Sequence, residues 1–507
     1  MHGGYLSAMR RRDVLSGLAA GLMPAAVLAQ PPAPLPSVLS RDAVVRLAAR
    51  LRRLGEDGLD PVGYGLPAEA LAGGDPATFH DATYRAAHAA LGDLVLGRVR
   101  QMPGRPDIQR DPARADLARW TAELASSAEP AAVLDRAANL PEGAAPLRAE
   151  LAKARDLVAR GGWPAIAPGV HTLEPGMTDA ARIPALRARL RAEDAVLAAA
   201  PDGGATYDDH LLAAVRRWQE TRGVEVDGRV GPVSQGVLNV PASGRVAQLR
   251  AALDLRRNPA RPTDERRIEV NVPDYSLAVM DGDRVVLRMG VIVGKPARAT
   301  PMMRVRMTGV QFNPSWGVPE RNAREDLLPR FRANPRAMQE RGFKLYGLVN
   351  GERVEVDPTT VNWAGISREN FPYVVRQDAG DGNALGRIKF IMPNGDDIYM
   401  HDTPDRHLFR RPDRAFSSGC IRLENPLAFF DVVAEGMGWD RARVQRTLDG
   451  RQTSGLGLRR SFPVRLHYNS VVVEGGRVRI RPDIYGLDVA YAREMDRARP
   501  VVVAGRA

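Results

Sequence analysis

The chain has 507 residues, a formal net charge of +12, 44% hydrophobic residues and a single cysteine. That length allows about two to four domains, with a core large enough to fold without disulfides. The basic excess is almost all arginine, spread without basic runs or interleaved aromatics; this argues against nucleic acid as a partner and leaves a surface suited to an anionic polymer.

At the N-terminus, Arg10, Arg11 and Arg12 precede "DVLSGLAAGLMPAAVLA", a short apolar run ending in small residues. Residues 1–29 read as a signal peptide cleaved after Ala29, and "MRRRDVL" has the twin-arginine look of a folded-protein export signal. The run is too short for a permanent span, and no later stretch is apolar enough for one. The mature protein is therefore expected in the periplasm, without a permanent membrane span.

A Pro-rich linker, "QPPAPLP" over residues 30–36, leads into an Ala-, Leu- and Arg-rich region over residues 37–165. Its apolar spacing, as in "RDAVVRLAARLRRLG", predicts a helical scaffold. Pro and Gly in "GGWPAIAPGVHTLEPGM" mark a boundary, and a compact unit follows over residues 175–245. There two amphipathic helices flank a Gly-rich turn, and a third short helix starts near Pro232. Through "AAVRRWQ" and "GVEVDGRVGPVSQGVLN" this unit resembles the three-helix peptidoglycan-binding domain, with Trp218, Asp227, Gly228, Gly231 and Pro232 at the recognisable positions. Helical spacing of Trp218 with Val215 and Leu211 places it in the core rather than against a ligand.

From about Arg266 the pattern changes to alternation. "RRIEVNVPDYSLAVMDGDRVVLRMGVIVGK" predicts three strands with turns at Asp274 and "DGD". "GVIVGKP" lacks the spacing of a phosphate loop. The segment of about residues 317–386 interrupts the β pattern and is expected to act as a lid. "GRIKFIMPNGDDIYMHDTP" then predicts two strands flanking a tight turn at Asn394 and Gly395. The tail, residues 441–507, is expected to pack on the catalytic domain, taken as 266–440.

Cys420, in "AFSSGCIRLENP", has no partner in the chain. In an oxidising compartment a lone cysteine suggests a link to another chain or a reactive thiol, and its small, flexible, polar setting favours the thiol. His401 at the end of "IYMH" lies within reach as a general base, so the pair can form a thiolate–imidazolium nucleophile. Gly419 lets the backbone turn sharply, leaving the amides of Gly419, Cys420 and Ser418 as oxyanion donors. The competing reading is a metal site, His401 and His407 with Asp402, Asp405 and Cys420, but a site with one cysteine is the less common kind. No metal or cofactor is expected.

"HDTPDRHLFRRPDRAFSSGCIR" resembles the active-site signature of the L,D-transpeptidases, and "TPMM", "FNPSWGVP" and "RPDIYG" resemble their large members. The resemblance implies an α+β multidomain protein with a mostly-β catalytic domain. In it Cys420 attacks the carbonyl before the terminal D-alanine of a wall tetrapeptide stem, and His401 acts as base. The thioester then passes to an amine of another stem as a 3→3 crosslink; hydrolysis of the thioester, or a catalytically silent wall-binding protein, are the other readings. Ser418 stands where many relatives have histidine, and Arg422 either anchors substrate or loop, or pairs with Glu424 or an aspartate.

Overall fold

The computed structural model describes residues 39–66, 76–258 and 266–497, so the expected signal peptide and linker lie outside the described residues. The first helix, Arg41–Arg52, is capped by Ser40, whose Oγ accepts from the Ala43 N–H at 3.2 Å. It buries Leu47 and Leu51 against Pro76–Leu96 and Pro130–Ala138. The scaffold is not confined to residues 37–165. Helices Ala242–Leu255 and Leu487–Met495 supply Ala251, Tyr491 and Met495 to the same core, and the fully buried Asp254 accepts from Arg98 N, Val99 N and Tyr491 Oη.

The following unit has its own core, built from Ile183 and Leu186 of helix Arg182–Arg191, Leu211, Val215 and Trp218 of Asp209–Arg222, and Leu238 of Pro232–Leu238. Ile166 and Leu173 from the Pro/Gly segment complete it, so the unit begins earlier than residue 175. It also ends earlier than 245, because Ala242 opens the helix that returns to the scaffold.

The β domain contains β1 (Arg267–Asn271), β2 (Ser276–Asp281), β3 (Arg284–Gly294) and β4 (Met303–Phe312). An insertion follows with β5 (Trp316–Gly317), β6 (Phe343–Val349), β7 (Glu352–Val356) and β8 (Val374–Gln377). The domain resumes with β9 (Ile388–Ile391), β10 (Met400–His401), β11 (Ala415–Ser417), β12 (Ile421–Leu423) and β13 (Ser454–His467). The nine-stranded sheet runs β11-β3-β12-β10-β9-β4-β13-β1-β2, and β2 also pairs with β3. That last pairing closes the sheet on itself around Val270, Val291, Phe312, Phe390, Met400 and Ile421. Helix Pro426–Val433, capped by Asn425 with Pro at its first turn, adds Phe429 and Phe430 to this core.

The insertion is a folded body rather than an open loop. Its sheet, ordered β5-β8-β6-β7, packs with the helices Leu328–Ala333 and Pro335–Glu340 around Phe331, Phe343, Leu345 and Trp363. The Phe331 and Trp363 rings stack at 4.7 Å.

Two further expectations need correction. No tight turn at Asn394 and Gly395 joins β9 to β10; residues 392–399 form a longer loop in which Asn394 Nδ2 bridges the carbonyls of Met392 and Ile398, and Asp397 takes the positive φ of 53°. Nor does the whole tail pack on the catalytic domain. β13 joins its sheet, but β14 (Val471–Glu474) and β15 (Arg477–Ile480) form a separate hairpin on scaffold helices Ala144–Ala159 and Ala242–Leu255, where Val471 and Ile480 are buried.

Candidate active site around Cys420

β10 lies between β9, antiparallel, and β12, parallel, with Lys389, His401 and Arg422 in one row and Phe390, Met400 and Ile421 in the next. The second row is buried in the core. Because side chains alternate along a strand, the first row projects from the opposite face. Tyr399 and Cys420 precede Met400 and Ile421, and the Ile421 N–H donates to the Tyr399 carbonyl at 3.1 Å, which places both on the face of His401. The register therefore brings His401, Cys420 and Arg422 together, along with Tyr399 and Lys389, which were not among the expected site residues.

The half-buried Cys420 thiol donates weakly to the Asp397 carbonyl at 3.8 Å. Burial pushes its pKa up, opposed by hydrogen bonds from the Tyr399 N–H and hydroxyl and by the charges of Lys389 and Arg422. Lys389 Nζ sits 3.9 Å from the centre of the Tyr399 ring, and Trp316, beside the Tyr399 hydroxyl, opposes the rise that burial gives its pKa. The His401 Nδ1 lies 2.5 Å from the Asp402 carbonyl. A carbonyl only accepts, so Nδ1 carries the proton and Nε2 keeps the lone pair. Burial, then the Arg422 charge, lower the His401 pKa to about 3 against the pull of the Asp402 and Leu385 carbonyls. Both shifts favour the uncharged forms, the thiol of Cys420 and the neutral imidazole of His401.

The nucleophile turn is fastened from several directions. Gly419 has φ of +120°, and a Cβ there would meet Ile398 Cδ1 at 3.1 Å, so this position requires glycine. Its N–H donates to Ser417 Oγ at 3.1 Å, and Ser417 Oγ donates to the Cys420 carbonyl at 2.6 Å. The Gly419 amide is thus engaged rather than free, which leaves the Ser418 and Cys420 amides as the oxyanion candidates. Thr300 Oγ1 donates to the Gly419 carbonyl at 2.8 Å, and Tyr485 Oη donates to the Gly294 carbonyl at 2.6 Å while accepting from Thr300 N. The motifs "TPMM", "FNPSWGVP" and "RPDIYG" converge here through Thr300, Trp316 and Tyr485.

Ser418 Oγ accepts from Arg298 NH1 at 2.7 Å, and the same buried guanidinium pairs with Glu325 and Asp326 at the base of the insertion. Arg422 pairs with Asp405 at 3.0 Å, not with Glu424, whose Oε2 accepts from Gly290 N at 2.8 Å. The Asp402 carboxylate accepts from Arg387 N and Thr403 N and pairs with Arg406; His407 is exposed. Among the described residues no group of three or more His, Cys, Asp or Glu is placed to hold a metal ion. No helix among them is long and apolar enough to cross a membrane.

The closed β domain thus carries one half-buried cysteine on the same face as histidine, tyrosine and two cations, groups of the kind used in nucleophilic catalysis. Residues 265–445 match the family model YkuD, the L,D-transpeptidase catalytic domain, so the segment that carries this site is of L,D-transpeptidase type with a single cysteine. The chain is also similar to a putative L,D-transpeptidase of Haemophilus influenzae, 39% identical over 240 residues that cover 47% of this chain and 48% of that protein. It thus spans about half the length of that relative. Solved L,D-transpeptidase structures from Mycobacterium smegmatis (12% identity, TM-score 0.20, 40% of this chain and 58% of that one) and Xylanimonas cellulosilytica (14%, 0.17, 59% and 100%) were also matched. Those TM-scores are too low to establish a shared fold.

Proposed function

We propose that the protein is an exported L,D-transpeptidase that forms 3→3 peptidoglycan crosslinks through a thioester on Cys420. The observation that carries this reading is the placement of the Cys420 sulfur against the Tyr399 donors, on the face of His401, within the matched domain. The Cys420 proton passes to His401 Nε2 as sulfur attacks the carbonyl before the terminal D-alanine. The oxyanion is met by the Cys420 and Ser418 amides. As the C–N bond breaks, the imidazolium returns the proton to the departing amine of D-alanine, leaving the thioester. The amine of a second stem attacks the thioester, gives a proton to His401, and the C–S bond breaks to restore the thiol. Lys389 and Arg422 supply positive charge as sulfur becomes anionic.

In this reading the insertion covers the stem as a lid, the three-helix unit holds the wall, and the periplasm is the working compartment. The test is incubation of the purified protein and its Cys420→Ala variant with disaccharide tetrapeptides, followed by mass spectrometry. Crosslinked dimer and free D-alanine are expected from the wild type only. Tripeptide without dimer would replace transfer by hydrolysis, and turnover by Cys420→Ala would remove the thioester altogether.

A further inference from the structure

The hydrogen bonds that hold the nucleophile turn lead out of the matched domain. The buried Thr300 uses its hydroxyl twice: Oγ1 accepts from Gly294 N at 2.9 Å and donates to the Gly419 carbonyl at 2.8 Å, one residue before Cys420. Tyr485 Oη closes the other side, donating to the Gly294 carbonyl at 2.6 Å and accepting from Thr300 N at 3.1 Å. Gly294, Thr300 and Tyr485 therefore form a ring of hydrogen bonds with one exit, the bond to Gly419. A Cβ at Gly294 would lie 2.1 Å from the Arg298 carbonyl, so the close approach of these segments requires glycine.

Of these three residues, Tyr485 lies outside the matched segment 265–445. It sits on the arm that leaves β13 and leads into helix Leu487–Met495, which packs in the scaffold core through Tyr491 and Met495. Along the arm, Tyr485 N donates to Tyr468 Oη at 3.0 Å and that hydroxyl donates to Asp483 Oδ1 at 2.6 Å. Asp483 Oδ2 in turn accepts from Asp488 N at 3.1 Å in the first turn of the helix. From the scaffold side, Gln248 Nε2 of helix Ala242–Leu255 donates to the Arg481 carbonyl at 3.0 Å and to Ser470 Oγ at 3.2 Å. The arm is thus hooked to the scaffold close to the point where it delivers Tyr485.

The bond to Gly419 bears directly on the chemistry. The Gly419 carbonyl and the Cys420 N–H belong to one planar peptide, and in a trans peptide they point in opposite directions. Anchoring the carbonyl on Thr300 therefore aims the Cys420 amide, one of the two oxyanion candidates. We propose that Tyr485 is a positioning residue for acyl transfer: it fixes Thr300, through it the direction of the Cys420 amide, and it does so from an arm whose place is set by the scaffold. The effect on acyl transfer rests on the proposed function; the strapping of the turn does not.

Tyr485→Phe keeps the ring and removes the hydroxyl. The full-length protein is compared with this variant in tetrapeptide crosslinking, in acylation by a carbapenem, and in alkylation by iodoacetamide, which reaches the same single cysteine without forming an oxyanion. Acylation and kcat are expected to fall about tenfold, while KM and the alkylation rate change less than about twofold. Thr300→Val should behave in the same way, and Thr300→Ser, which keeps the hydroxyl, should recover most of the loss. Gln248→Met removes the scaffold's hook at nearly constant length and should slow acylation about threefold, again sparing alkylation. Unchanged acylation in Tyr485→Phe, or equal losses in acylation and alkylation, overturns the positioning role. Unchanged acylation in Gln248→Met overturns the dependence on the scaffold. If Tyr485→Phe does not fold, the two Thr300 variants decide. If the wild type neither acylates nor crosslinks, the proposed function fails by itself. Amide hydrogen exchange over residues 415–421, expected to quicken about tenfold in Tyr485→Phe, then still tests the strap, and unchanged exchange overturns it.

Discussion

Tyr399 and Cys420 stand side by side immediately before β10 and β12, where the Ile421 N–H donates to the Tyr399 carbonyl at 3.1 Å. Tyr399 lowers the Cys420 pKa through both its backbone and its side chain, and Trp316 lies beside the tyrosine hydroxyl. Burial disfavours the thiolate, so these donors and the nearby cations set how readily it forms.

Tyr399→Phe removes one of the two donors without emptying the position. Acylation by a carbapenem is expected to slow about tenfold, with its pH profile displaced to higher pH because the thiolate loses a charge-assisted hydrogen bond. Intact-protein mass against time, across a pH series, reads both effects. An unchanged profile would leave the tyrosine only a packing role.

His401→Ala separates two duties of the imidazole. A strained β-lactam needs less help at its leaving group, so acylation should fall modestly, while crosslinking of tetrapeptides should fall by about 10²–10⁴. Parallel losses on both substrates would show that deprotonation of the thiol is the whole of its contribution.

Arg298→Gln cuts the tie between the Ser418 hydroxyl and the acidic residues at the base of the insertion. The guanidinium is 3% exposed but its partners are 39% and 34% exposed, so a stability loss of about 1–3 kcal/mol is expected rather than that of a fully buried pair. Urea unfolding measures the loss, and acylation rate reports the turn; a change in stability with no change in rate would confine Arg298 to the fold.

Acid stability should carry the signature of two neutral histidines, the buried His401 and the half-buried His467. Burial, then the Arg465 charge, lower His467 to about 4 against the pull of Glu269 and Asp107, and His401 lies at about 3. Both take up a proton in the unfolded chain near pH 6.5 but not in the folded one until far lower, so stability falls as pH drops from about 6.5 toward 4. Each contributes a slope of about 1.4 kcal/mol per pH unit well inside that window. His467→Gln should flatten the curve by one such increment in urea unfolding between pH 6 and about pH 4.5; superimposable slopes would contradict the assignment.

The candidate nucleophile and base and the three opening strands were legible in the sequence because each is local. A lone cysteine beside a glycine and two-residue alternation depend on neighbours a few positions away. The other site groups were not legible in this way. Tyr399 and Lys389 read as ordinary strand residues until the β9–β10–β12 register puts them around Cys420, and Arg298 reaches Ser418 across 120 residues. The quoted motifs "TPMM" and "RPDIYG" did signal Thr300 and Tyr485, without saying what they hold.

By itself, then, the sequence determined the candidate nucleophile and base and the strand pattern that presents them. Only the tertiary structure decided how their titration is shifted: burial, then Arg422, depresses His401, while burial raises Cys420 against the opposing pull of Tyr399, Lys389 and Arg422 gathered by strand pairing. It also decided the domain limits: helices Ala242–Leu255 and Leu487–Met495 return to a scaffold begun far upstream, because buried apolar faces are completed by whichever element fits them in space, and periodicity along one segment specifies the face but not the partner.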